Sequence, residues 1–135
     1  MRRSRFSLII IPILVLMFSA CNQVASPFAA SPSDVVKHEY SACNDGKYSE
    51  AESLFSADLQ KVLHGELGAA AGGLKKECEN ATHRGTLTQV EIVSETIKGE
   101  GATVIANIHF KDGSQKKNDE NSLIKENGSW KLIAN

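Results

Sequence analysis

Few residues in this chain are of a type and spacing that could do chemistry. Cys43 and Cys78 lie about 35 residues apart, each on an apolar helical stripe: Val36, Tyr40 and Cys43 on one, Leu74, Cys78 and Ala81 on the other. Both sulfurs would therefore face a core, where a disulfide is the expectation and two buried free thiols the alternative. The four histidines, His38, His64, His83 and His109, are scattered. His38 and Cys43, like Cys78 and His83, are five positions apart, which turns two helical side chains about 140° from each other, so no metal site is expected. Acid and base candidates number five: Tyr40, Tyr48, Asp58, His64 and His83. Packing accounts for both tyrosines, and Asp58 reads as a helix cap before Leu59. Paired carboxylates and a Ser/His/Asp set cannot be placed, and Gly72-Gly73 lacks the lysine and serine of a phosphate loop. No catalytic residue, cofactor or enzymatic activity is expected.

The third cysteine bears on the compartment. Arg2, Arg3 and Arg5 precede thirteen uncharged residues, 8–20, that contain Pro12 and end in the small pair Ser19-Ala20. That run is too short for the roughly 20 residues of a bilayer span and suits the apolar region of a signal peptide over residues 1–20. Cleavage before Cys21 resembles the processing of bacterial lipoproteins, with Phe18 where that pattern usually has leucine. The resemblance implies that the Cys21 thiol is lipidated and becomes the N-terminus, so the chain is exported and held to the membrane by acyl chains. Ordinary secretory cleavage, an uncleaved anchor and twin-arginine export are the alternatives. Residues 21–32 read as anchor and tether, reaching at most roughly 40 Å. Asn22 is not the aspartate that favours inner-membrane retention in enteric-type envelopes, which favours the outer membrane in a two-membrane cell. In that oxidising setting the remaining even pair, Cys43 and Cys78, favours the disulfide.

Without the leader, 115 residues remain, enough for one small domain, with 12 basic against 16 acidic residues and a net charge of −4. No basic field exists to attract nucleic acid or anionic headgroups. The six aromatics, Phe28, Tyr40, Tyr48, Phe55, Phe110 and Trp130, form no ladder interleaved with lysine or arginine, which argues against a single-strand nucleic-acid binder.

Periodicity divides residues 33–135 into a helical half and a strand half. Ser31-Pro32-Ser33-Asp34 predicts a capped helix running to about Asn44, with Gly46 just past its end. Residues 48–63 predict two short helices broken around Ser56 to Asp58. Four glycines in residues 65–73 predict a flexible loop before a helix over 74–81. Strands are predicted over 86–97, 102–110, 114–125 and 130–133, joined by Gly99-Glu100-Gly101, Asp112-Gly113 and Asn127-Gly128 turns. In the second strand Ala102, Val104, Ala106, Ile108 and Phe110 share the covered face. The third opens with SQKKNDEN, polar on both faces, and reads as a wet edge or protruding hairpin. The fold class is α+β: N-terminal helices packed on a curved four-stranded antiparallel meander.

The runs YSACNDGKYSEAESLF, GATVIANIHFKDGS and ENGSWKLI, with Cys78 between the first two, resemble domains of unknown function in bacterial lipoproteins of the nuclear transport factor 2-like, or cystatin-like, class. The resemblance implies a sheet wrapped around helices as a cone, with Tyr40, Val104, Ile108, Phe110 and Trp130 as candidate pocket lining. Fold does not select a function. The expectation is a non-catalytic binding or accessory module, taking a small apolar ligand in the cone or a protein partner on the outer sheet face; a dimer is compatible. An isomerase- or dehydratase-like enzyme, a structural envelope component and an inhibitor are the alternatives.

Overall fold

A computed structural model describes residues 31–134; Cys21, the leader before it and residues 22–30 of the expected tether lie outside the described residues. Helix α1 (Pro32–Asn44) begins with a reciprocal cap, in which Ser31 Oγ accepts the Asp34 N–H and the Asp34 carboxylate accepts the Ser31 N–H. The predicted start is thus present, with Ser31 as the N-cap and Pro32 as the first helical residue. Gly46, at φ +72°, follows its end in the left-handed conformation that glycine adopts without strain.

Helices α2 (Tyr48–Ser53) and α3 (Ala57–His64) replace one continuous helix because Leu54 and Phe55 are drawn into the core between them. The cap of α3 is Ser56, whose hydroxyl accepts the Leu59 N–H at 3.2 Å. Asp58 is not the cap; it lies exposed in the first turn, 2.9 Å from the Lys61 ammonium. The expected loop over residues 65–73 also needs correction, since it contains helix α4 (Glu66–Ala70). Its alanines favour helix strongly enough to outweigh Gly68. Gly68 is required for packing: a Cβ there would stand 2.3 Å from the Val62 carbonyl oxygen. Helix α5 (Gly73–Ala81) follows.

Strands β1 (Leu87–Lys98), β2 (Gly101–Phe110), β3 (Gln115–Glu126) and β4 (Ser129–Leu132) form an antiparallel meander in sequence order. Asn127 and Gly128 both have positive φ, the requirement of the tight turn whose twist matches a hairpin. Strand β4 pairs with residues 123–126 of β3, and just beyond it the Ile133 N–H reaches the Ser122 carbonyl at 3.0 Å. The backbone of β4 also locks to the α2–α3 link: the Ser56 N–H reaches the Leu132 carbonyl at 2.8 Å, and the Leu132 N–H reaches that of Leu54 at 2.9 Å.

Burial alternates along β2 without a break. Helix α1 lies across that face, with Val35, Val36 and Tyr40 packed against Val104, Ala106 and Ile108, three residues that are fully buried. Tyr40, Val104, Ile108 and Phe110 therefore fill the space between helix and sheet instead of lining an open cone, because α1 sits close enough for the side chains to interdigitate. Trp130 is half-buried against the same core, with the Lys125 ammonium 5.3 Å from its ring centre. Cys43 and Cys78 are joined by a disulfide that ties α1 to α5, enclosed by Ala42 and Ala51. No helix among the described residues is long and apolar enough to cross a membrane.

The bridge closes a loop of 35 residues, for which chain entropy gives roughly 3 to 4 kcal/mol. Replacing both cysteines by alanine should lower the unfolding free energy by about that amount in a urea titration. A loss below about 1 kcal/mol would show that the bridge contributes little to this fold.

Candidate functional site

Two neighbouring residues of α1 point to opposite uses. Tyr40, on the core stripe, donates its hydroxyl hydrogen to one carboxylate oxygen of Asp119 in β3. Lys116 pairs with the other oxygen, and the Asn121 amide reaches the carboxylate at 3.3 Å. A register irregularity brings these groups together: between the pairs of Ala106 with Asp119 and Ile108 with Lys116, β3 carries an extra residue, and Asn118 takes φ +53°. The bulge resets the alternation, so Lys116 and Asp119 both meet the covered side although they are three residues apart. The Asp119 side chain is 10 % exposed, a covered position in a stretch, SQKKNDEN, that is otherwise mostly exposed as its polarity suggests. Burial, and then the Asp119 carboxylate, push the Tyr40 hydroxyl far above its ordinary range, so it stays protonated as a donor.

Glu39 turns to the flank of α1, where its carboxyl oxygen lies 3.2 Å from Cys43 Sγ. This is a contact and not a hydrogen bond, since a disulfide sulfur carries no proton. Burial is the main cause that raises the Glu39 carboxyl to about 7; Asp119 adds to the shift and Lys116 opposes it. The same carboxyl borders a groove of about 250 Å³. Phe55, Leu59 and Leu63 form one wall, Leu74 and Ala81 of α5 the other, and Glu77 stands at the rim. Glu39 and the two sulfurs lie within 4.8 Å of one another, but bonded sulfurs offer no thiolate to a metal ion. Larger hollows of about 500 and 570 Å³ lie at the Thr96–Thr103 end of the sheet and beside Asp45 and Arg84; neither joins an enclosed carboxyl to an apolar wall.

The five acid and base candidates do not converge. Tyr40 enters the Asp119 cluster, while Tyr48 packs beside the disulfide. Asp58 faces solvent, His64 lies 2.5 Å from Glu52, and His83 stacks on Phe110 with ring centres 3.7 Å apart. His38 and His109 pair with Glu50 and Glu91 at 2.9 and 3.3 Å. Glu39, Lys116, Asp119 and Asn121 do not stand out in the sequence. The available signal is Glu39 beside Tyr40 and Cys43, with a carboxylate in β3 to meet them; the bulge that aligns them has no residue signature.

Helices followed by an antiparallel meander form an α+β fold like that of nuclear transport factor 2-like proteins. The chain belongs to the family described as Domain of unknown function (DUF4878), matched over residues 25–133. Three solved structures share the fold. A putative NTF2-like transpeptidase from Campylobacter jejuni is 12 % identical with a TM-score of 0.61, over 78 % of this chain and 100 % of that one. A putative calcium/calmodulin-dependent protein kinase type II association domain from Thiobacillus denitrificans is 17 % identical with a TM-score of 0.54, over 80 % and 94 %. A SEC-C motif containing protein from Rhodopseudomonas palustris is 15 % identical with a TM-score of 0.53, over 78 % and 77 %. Comparison with curated proteins returned no match.

Because the folded chain raises the Glu39 pKa above its ordinary 4.5, the contribution of protonated Glu39 to stability is complete below that value and is lost as the pH rises through about 7. Urea titrations should show the chain losing up to roughly 3 kcal/mol from this group between pH 4.5 and pH 8, since each tenfold change in proton affinity corresponds to about 1.4 kcal/mol. Glu39→Gln should flatten that part of the profile; an unchanged profile in the variant would remove Glu39 as its cause.

Proposed function

We propose that this is a non-catalytic binding module, exported and held to the cell envelope by lipid on Cys21, that takes a small apolar ligand between α1, α3 and α5. The observation that carries the reading is the groove of about 250 Å³ walled by Phe55, Leu59, Leu63, Leu74 and Ala81. Ligand sites are concave and mostly apolar with a few polar groups, and this volume suits a molecule smaller than a typical drug. The cone, by contrast, is occupied by the chain's own side chains. The anchor is supported by the uncharged run that ends at Cys21 and by an acidic domain with no means of its own to hold an anionic surface. The outer membrane is the favoured address in a cell with two membranes. A protein partner remains the other occupant, with Val93 and Ile97 exposed on β1 as its point of contact.

A proton-transfer enzyme is the second reading, favoured by Tyr40, Asp119 and Glu39 standing together. It ranks lower because Tyr40 and Asp119 satisfy each other within the packed interior, and of the three only Glu39 borders the groove.

The test is a titration of the exported chain carrying Cys21→Ala with a neutral naphthalene-type fluorophore. Emission should rise and shift to the blue, and Leu63→Gln should weaken binding by about tenfold, the cost of placing an amide in an apolar wall. Radiolabelled fatty acid should attach to the native chain and not to the variant. An unresponsive fluorophore would contradict the ligand site, and an unlabelled native chain would contradict the anchor.

A further inference from the structure

Resting on that reading of the groove, we propose that its ligand is a small primary amine on an apolar body, with the Glu39 carboxylate as the counter-ion of the ammonium group. The groove is apolar on both sides and brings two carboxyl groups to the ligand, from Glu39 and from Glu77 at the rim, while no lysine or arginine is among its lining residues. Among the described residues, the polar groups that the contacts and electrostatics place near Glu39 are committed or of the wrong kind. From α1, Tyr40 gives its hydroxyl hydrogen to Asp119; from β3, Lys116 and Asn121 also serve Asp119, whose own charge repels that of Glu39. The α1–α5 bridge presents a sulfur without a proton. Glu77, on α5, adds negative charge.

Charge decides among ligand classes of the same shape. A carboxylate or phosphate would meet two like charges at close range. An alcohol could hydrogen-bond with Glu39 but would leave the charge uncompensated. An ammonium supplies both the missing donors and the opposite charge, and hydrogen bonds between ionised partners are about twice as strong as neutral ones. The apolar body then covers Leu59, Leu63 and Leu74, which excludes water and strengthens the ion pair. Binding of this kind requires Glu39 ionised and the amine protonated. Affinity should accordingly rise with pH through the range in which Glu39 titrates, by up to about tenfold per pH unit below it, and level off above.

The experiment is isothermal titration of the exported chain carrying Cys21→Ser, so that no acyl chain competes for the groove. The probes are n-hexylamine, n-hexanol and n-hexanoate at pH 6 and pH 8. The proposal expects hexylamine to bind at least tenfold more tightly than hexanol at pH 8, with a smaller margin at pH 6 and the weakest binding for hexanoate. Glu39→Gln should bring the amine down to the level of the alcohol, with a cooperative urea transition showing that the variant is folded; Glu77→Gln should have the smaller effect. Equal affinity for amine and alcohol in the Cys21→Ser chain, or a preference that survives Glu39→Gln, would overturn the amine proposal and leave the apolar groove standing. Binding of none of the three would overturn both.

Discussion

The packing of α1 on the apolar face of β2 is the constraint on which the rest of this structure depends. Val104, Ala106 and Ile108 are fully buried because Val35, Val36 and Tyr40 lie against them. At interior packing density a helix seated this closely leaves no room for a ligand beneath it. A filled cone moves the usable space to the other flank of α1, where the short helices α3 and α5 lean together without closing. Two ties keep α1 and its neighbours in place: the disulfide to α5, and the backbone exchange between β4 and the α2–α3 link.

Charge inside this frame is handled differently at two carboxylates, Asp119 of β3 and Glu39 of α1. Asp119 is a carboxylate among apolar groups, but a hydroxyl, an ammonium and an amide surround it, which is the condition under which burial of a charge is tolerated. Glu39 is enclosed beside a bonded sulfur that cannot donate, and burial, with the Asp119 charge adding to it, raises its carboxyl to about 7. Asp119 is therefore compensated within the core, while Glu39 is left available at the groove. Tyr40 donates to Asp119 and its neighbour Glu39 turns to the groove because the two are one residue, about 100°, apart around α1.

Much of the fold is legible in the sequence because local chemistry and tertiary need agree. The Ser31-Pro32-Asp34 start, the alternation from Ala102 to Phe110 and the Asn127-Gly128 turn each state their structure in residue types. Sequence and structure part where two local signals compete. Ser56 and Asp58 are both capping residues, and Ser56 prevails because Phe55 is pulled into the core and sets where the helix can begin. The glycines of residues 65–73 suggest a loop, but one of them serves close approach to α3 and the alanines between them are helical. The site is less legible than the fold. Tyr40 and the cysteine pair stand out, but Glu39 looks like one more helix-surface acid, and Asp119 reaches the interior only through a bulge that composition does not mark. The candidate pocket residues Val104, Ile108 and Phe110 do form an inward face, and they become core because the helix above them leaves no gap.

The central claim is that the working space of this domain lies beside α1 and not beneath it. Methyl-resolved NMR of the exported chain during titration with a neutral apolar ligand tests it most directly. The account predicts shifts at Leu59, Leu63 and Leu74 while Val104 and Ile108 stay in place. Shifts at Val104 and Ile108, with Leu59, Leu63 and Leu74 unmoved, would mean that the cone opens after all, and would contradict it.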